Sequence, residues 1–326
     1  MHRSALRWIV TTIALAASWL SAPSGFDASA RGQSPRREFK LPESVEMETD
    51  VEYGRAGDRP LLLDVLRPKE QGDKTLPVVV YIHGGGWRAG SKEAGRGMLA
   101  PLVASGNYVG VSVGYRLTDV AIWPAQIHDC KAAIRWVRAN ADKYKIDAEH
   151  IGATGSSAGG HLVSLLGTSG GVKELEGDNG SPGYSSRVGC VVDLCGPSDF
   201  PHFLEQPGHG GQSAVVGLFG GPPSEHLEAA KAASPITWVS ADDPPFMVVH
   251  GSDDTVVPPA QGESFAAALE KAGVPVIYIR MEGAGHSLGG PELIKRVHAF
   301  FERELRGEKV EISAEPIKIE PSAEKK

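Results

Sequence analysis

Cysteine is scarce in this chain, and basic residues are not in excess. Three cysteines occur among 326 residues, which excludes a fold held together by several disulfides. Lysine and arginine total 33 against 40 aspartates and glutamates. Without a basic stripe, nucleic acid and anionic membranes are not expected partners. We expect Cys130, Cys190 and Cys195 to be free, buried thiols, because Cys190 and Cys195 fall on opposite faces of one predicted strand.

Long apolar runs are also missing, and the most apolar stretch lies at the N-terminus. Arg3 and Arg7 precede the stretch Trp8–Leu20, which is short for a membrane span. Small residues and Ala28-Ser29-Ala30 follow, a pattern typical of a secretory signal peptide. We predict a signal peptide over residues 1–30 and a linker over 31–40, in a secreted or periplasmic protein with no stable membrane span after cleavage. The alternative is an uncleaved membrane anchor.

A G-x-S-x-G pattern, Gly155-Ser156-Ser157-Ala158-Gly159, is the most informative motif present. It follows the predicted strand Ile151–Thr154 and precedes the predicted helical run His161–Leu166. A strand that turns abruptly into a helix needs small flanking residues, and it exposes the central serine hydroxyl. Ser157 is therefore predicted to be a nucleophile, and Ser156 is not.

A glycine-rich loop, His83-Gly84-Gly85-Gly86-Trp87, follows the apolar strand Val78–Ile82. Consecutive glycines allow main-chain N–H groups to face a ligand. Acyl transfer needs such donors because negative charge develops on the carbonyl oxygen. The alternative is a flexible loop with no catalytic role.

A serine nucleophile requires a histidine base and an acid, which in this arrangement follow in the order Ser, Asp, His. Asp254 and His286 come after two further predicted strands and are the candidates for these roles. Ends of parallel strands collect at one edge of the sheet. Asp253 and Asp199 are alternative acids, of which Asp253 is better explained as holding a turn.

Structural roles are expected for His83, His161 and His250. His202, His209 and His226 are too irregularly spaced, and too far from any cysteine or carboxylate pair, to indicate a metal site. We expect no metal and no cofactor.

Four ordered motifs together resemble the α/β-hydrolase esterases, and in particular the feruloyl-esterase-like and acetylesterase-like carboxylesterases. They are His83–Trp87, Gly155–Leu162, Pro244–Phe246 leading to His250-Gly251, and Gly285-His286. The resemblance covers residues 41–305 and implies hydrolysis of carboxylic esters. It also implies an oxyanion hole formed by amides of Gly85, Gly86 or Trp87 together with that of Ala158; which two loop amides serve stays open.

Strand and helix patterns alternate, which predicts an α/β fold with a mainly parallel, doubly wound sheet. A catalytic domain is expected over residues 41–306, followed by a disordered charged tail over 307–326. Eight strands are predicted at Val45–Tyr53, Leu61–Leu66, Val78–Ile82, Tyr108–Val113, Ile151–Thr154, Val188–Leu194, Phe246–Val249 and Val276–Met281. Helices are predicted at Ala94–Ser105, Pro124–Tyr144, Gly160–Leu166, His226–Ala233, Pro259–Ala272 and Glu292–Leu305.

Substrate specificity is expected to reside in an insertion over residues 197–233, which we interpret as a short lid. A short lid favours an open cleft and small acyl or aromatic esters, either free or carried on a polysaccharide. Trp87, Tyr115 and Trp123 are candidate walls of this cleft, although core packing explains Tyr115 and Trp123 equally well. The alternatives are a serine peptidase of the prolyl-oligopeptidase type and a non-catalytic binding protein on the same scaffold.

Overall fold

The computed structural model of the chain describes residues 39–206 and 210–319. The predicted signal peptide and most of the linker fall outside this range, as do the final residues, 320–326. No helix of the described part is long and apolar enough to cross a membrane.

One mixed sheet organises the described residues, with strands in the order β1-β2-β4-β3-β5-β6-β7-β8-β9. β2 runs antiparallel to both β1 and β4, and all pairs from β4 through β3 to β9 are parallel. The mainly parallel α/β fold predicted from the sequence is therefore confirmed. The strands are β1 Val45–Ala56, β2 Arg59–Pro68, β3 Leu76–Ile82, β4 Val109–Val113, β5 Ile146–Ser156, β6 Cys190–Leu194, β7 Phe246–Gly251, β8 Val276–Glu282 and β9 Ile317–Lys318.

Helices cover both faces of the sheet. β3 shows how the faces separate, since Val78, Val80 and Ile82 point into one apolar core and Val79 and Tyr81 into the other. α2, α4 and α8 contribute to the first core, and α1 and α9 to the second. The helices are α1 Arg96–Ala104, α2 Ala125–Ala139, α3 Ala141–Tyr144, α4 Ala158–Thr168, α5 Phe200–Glu205, α6 Gln212–Phe219, α7 Leu227–Ala233, α8 Ala260–Lys271 and α9 Pro291–Arg306.

Three predictions of local structure need correction. The tail expected to be disordered from residue 307 is ordered as far as residue 319, because Ile317 and Lys318 pair with β8 as a ninth strand. The helix predicted over 124–144 is interrupted at Asn140, and the insertion over 197–233 contains α5 and α6 in addition to the predicted helix. All three cysteines are buried and free, as predicted.

Two glycines allow α4 to cross closely over the end of β3. A Cβ on Gly159 would lie 2.1 Å from the carbonyl oxygen of Ile82, and one on Gly155 would lie 2.7 Å from the same atom. Neither position has room for a side chain. The glycine loop that follows Ile82 is thereby held against the turn that carries Ser157.

Every candidate site residue follows the carboxyl end of a parallel strand. The loop His83–Trp87 follows β3, Ser157 follows β5, Asp254 follows β7 and His286 follows β8. Parallel pairing brings these strand ends to a single edge of the sheet.

Alanine in place of Gly159 should destabilise the fold by about 2 kcal/mol, because the new methyl group would overlap a backbone carbonyl that cannot move independently. Gly97 in α1 is the matched control, since a Cβ there meets no atom within 4 Å. Gly97→Ala should change the free energy of unfolding by less than about 1 kcal/mol. Urea denaturation of both variants measures the difference, and equal stabilities would contradict the close crossing.

Candidate active site

Ser157 occupies a sharp turn between β5 and α4. Its backbone has φ 58° and ψ −122°, a conformation that residues other than glycine rarely adopt. The Ser157 N–H donates to the carbonyl oxygen of Leu194 at 2.8 Å, which ties the turn to β6. The serine hydroxyl is consequently presented at the sheet edge, as the motif predicts.

A chain of two hydrogen bonds links Ser157, His286 and Asp254. His286 Nδ1 lies 2.7 Å from Asp254 Oδ2, and His286 Nε2 lies 2.8 Å from Ser157 Oγ. A carboxylate only accepts hydrogen bonds, so Nδ1 carries the imidazole proton. The lone pair of Nε2 then accepts the serine hydroxyl, which is the arrangement needed for a general base.

Asp254 is kept ionised by its surroundings. Burial would raise the pKa of this carboxyl group, but the neighbouring His250 and His286 side chains and the amides of Val257 and Val256 more than offset that effect and hold the pKa well below its ordinary value. The amide of Val256 donates to Oδ1 at 2.8 Å, and that of Val257 donates to the same oxygen at 2.9 Å. His250 Nε2 lies 3.4 Å from Oδ2 while donating to the Val257 carbonyl oxygen. Oδ1 and Oδ2 therefore have separate partners, and the carboxylate has a fixed orientation.

The alternative acids lie elsewhere. Asp253 accepts a hydrogen bond from the neighbouring Ser252 hydroxyl at 2.6 Å. Asp199 directly precedes α5 and caps it, accepting from the backbone N–H of His202 and pairing with the ring of the same residue. Neither carboxylate forms the contact to His286 that Asp254 forms.

The glycine loop adopts a left-handed backbone at three consecutive residues, with φ of 112° at Gly85, 59° at Gly86 and 57° at Trp87. A Cβ on Gly84 would lie 3.4 Å from the Ser157 Cβ, so the loop borders the serine directly. The amide of Ala158, in the first turn of α4, has no acceptor within its own helix. The glycine loop and the first turn of α4 therefore both lie next to the serine.

Buried aromatic and histidine side chains hold the loop from behind. Trp87 Nε1 donates to His161 Nδ1 at 3.2 Å, and His161 Nε2 donates to the Ala233 carbonyl oxygen at 2.7 Å. On the other side, Tyr115 stacks on the His83 ring and its hydroxyl donates to the His83 carbonyl oxygen. His83, His161 and Tyr115 thus support the loop without reaching the serine.

A pocket of about 510 Å³ opens at the serine. The glycine loop and Trp87 form one wall, and His286 and Leu288 form another. The insertion supplies a third wall through Phe203, Gly211, Ala214 and Val215, among others.

Of the three proposed wall residues, the structure brings only Trp87 to this pocket. Tyr115 lines a separate recess of about 210 Å³ behind the loop. Trp123 is buried beside His161. The sequence could not separate these positions, because an aromatic side chain suits a core and a cleft equally well.

Cys195, Asp254 and His286 place potential metal ligands within 4.8 Å of one another. Burial raises the pKa of the Cys195 thiol to about 12, and its Sγ donates to the His286 carbonyl oxygen. A protonated thiol is a poor ligand, and His286 Nδ1 already bonds Asp254. This donor set fits a hydrogen-bonded triad better than a metal site.

The fold and this site define a class of protein, the α/β-hydrolases with a serine at the nucleophile turn. Within that class, the chain belongs to the BD-FAE family, whose model matches residues 63–269. The resemblance predicted from the four motifs is confirmed by this match.

Known proteins with related sequences and structures are named as esterases. Esterase LipC of Mycobacterium tuberculosis is 36% identical over 244 residues, which is 71% of this chain and 58% of LipC. A truncated carbohydrate esterase from gut microbiota has a TM-score of 0.74 and 34% identity, covering 82% of this chain and all of that one. A bifunctional GH43-CE protein of Bacteroides eggerthii has a TM-score of 0.73 and 36% identity, covering 82% of this chain and 36% of that one. Three curated relatives match over 71–81% of this chain. The match spans only 56–61% of the length of those relatives.

Burial of His161 should make the protein less stable in acid. Burial lowers the pKa of this histidine from 6.5 to about 4, so below pH 6.5 the unfolded chain binds a proton that the folded chain does not. Between pH 6.5 and 4 the free energy of unfolding should fall by about 3 kcal/mol on this account. Urea denaturation across this range should give a shallower pH dependence for His161→Gln than for the wild type, and identical slopes would contradict a neutral, buried His161.

Proposed function

We propose that this protein is an exported serine carboxylesterase that hydrolyses short-chain acyl or aromatic esters, acetyl and feruloyl esters among them, including esters carried on polysaccharides. The observation that carries the proposal is the hydrogen-bonded chain from Asp254 through His286 to Ser157, next to the glycine loop.

Catalysis begins with Ser157 Oγ attacking the ester carbonyl carbon while its proton moves to His286 Nε2. The tetrahedral intermediate collapses, and the departing alcohol takes the proton from Nε2. Water then attacks the acyl-enzyme carbonyl while His286 Nε2 accepts its proton. The second tetrahedral intermediate collapses, Ser157 Oγ takes the proton from Nε2, and the carboxylic acid leaves. Asp254 stays ionised and stabilises the imidazolium in both halves of the reaction.

The developing oxyanion is bound by the amide of Ala158 and by amides of the glycine loop at Gly85, Gly86 or Trp87. Three consecutive residues of this loop have left-handed backbone, a conformation that supports the proposal because such turns can form anion-binding concavities from main-chain N–H groups. Such fixed donors stabilise the intermediate because they are oriented before the charge develops.

The substrate proposal rests on pocket size and on the relatives. A pocket of about 510 Å³ suits a short or aromatic acyl group better than a long lipid chain. One structural neighbour is described as a carbohydrate esterase and another as a bifunctional GH43-CE protein, which supports an ester attached to a carbohydrate. Export is proposed from the N-terminal pattern alone.

Ser157→Ala should lower kcat/KM for 4-nitrophenyl acetate by about 1000-fold or more. Among the described residues, no other hydroxyl is hydrogen-bonded to His286 Nε2. The adjacent Ser156→Ala is the matched control. Ser156 Oγ contacts Cys195 Sγ at 3.8 Å instead of His286, so its loss should reduce the rate only several-fold. Equal rates for the wild type and Ser157→Ala would refute the mechanism.

A panel of esters tests the substrate class. Acetyl and feruloyl esters should be hydrolysed with higher kcat/KM than long-chain triglycerides, because a pocket of about 510 Å³ suits a small ester better than a molecule with three long acyl chains. An aminoacyl 4-nitroanilide should be cleaved far more slowly than the esters. A preference for triglycerides would contradict the short-ester proposal, and a preference for the anilide would indicate a peptidase.

A further inference from the structure

Arg88 is the one permanently charged side chain among the described residues that line the pocket. It follows Trp87 directly, so its position is fixed by the same loop that would supply the oxyanion donors. The Arg88 backbone N–H donates to the Gly85 carbonyl oxygen at 3.2 Å. The charge is therefore attached to a defined turn and not to a mobile segment.

The Arg88 side chain folds back over the glycine loop. A Cβ on Gly86 would lie 3.9 Å from Arg88 Nε and 2.9 Å from the Ala214 Cβ. Arg88 Nη1 donates to Ser213 Oγ at 3.3 Å. The guanidinium thus lies between the loop and α6, at the wall of the pocket that also contains Ser157.

Arg88 has no carboxylate partner among the described residues. Arg96 and Arg116, by contrast, each form an ion pair with a buried aspartate. A guanidinium carries five N–H donors, and one of them is used by Ser213. Most of its donors are therefore available to a ligand. The formal net charge of the chain is −7, which by itself would disfavour an anionic ligand, so a local positive charge matters for binding one.

We propose that Arg88 binds a carboxylate on the alcohol part of the ester. The substrate class would then include acylated acidic sugars, such as uronic acid units. This inference rests on the proposed ester hydrolysis. The planar guanidinium matches a carboxylate with two parallel hydrogen bonds, and Arg88 lines the same pocket as Ser157.

Two esters of nearly equal size and different charge test this proposal, 4-acetoxybenzoate and 4-acetoxybenzamide. After correction for their spontaneous hydrolysis rates, the wild type should show about fivefold higher kcat/KM for the anionic ester at low salt. Arg88→Gln should bring the ratio close to one, and Arg88→Lys should give an intermediate ratio because lysine lacks the planar fork. Raising the salt concentration should reduce the wild-type ratio.

Ser213→Ala is the matched control, because it removes the partner of Arg88 and leaves the charge; the anionic preference should persist. An unchanged ratio in Arg88→Gln would overturn the proposal, and so would an equal loss of activity toward both esters, which would mean that Arg88 only holds the loop. No turnover of either ester by the wild type would instead overturn the ester hydrolysis itself.

Discussion

The close approach of α4 to the end of β3 is the constraint on which the site depends. Gly155 and Gly159 lie against the carbonyl oxygen of Ile82, and a side chain at either position would force the helix away. Such a shift would separate the glycine loop from Ser157. The spacing between Ser157 and the glycine loop is thus set by backbone packing, before any functional side chain is considered.

Electrostatics then give the three polar residues their protonation states. Asp254 is buried yet ionised, because two backbone amides and two histidine rings surround it. That fixed charge orients His286 with its proton on Nδ1, which leaves Nε2 to accept the Ser157 hydroxyl. His161 is buried without a carboxylate and stays neutral, so it holds Trp87 without adding charge near the loop.

Much of this arrangement could be predicted from the sequence, because strand ends of a parallel sheet must meet at one edge. The alternation of strands and helices indicated the fold, and the order of the motifs identified the three residues that the structure places in hydrogen-bonding contact. β9 was missed because two residues in a charged segment show no periodicity. The roles of Val256 and Val257 as amide donors to Asp254 have no side-chain signature, and only three-dimensional packing separates Trp87 from Tyr115 and Trp123.

The most direct test of the account is covalent labelling with a fluorophosphonate, followed by peptide mapping by mass spectrometry. A serine activated by His286 should be phosphonylated, and the account predicts the added mass on Ser157, with labelling slowed strongly in His286→Ala. Ester hydrolysis that continues after treatment with no mass on Ser157, or an adduct on another serine, would contradict it.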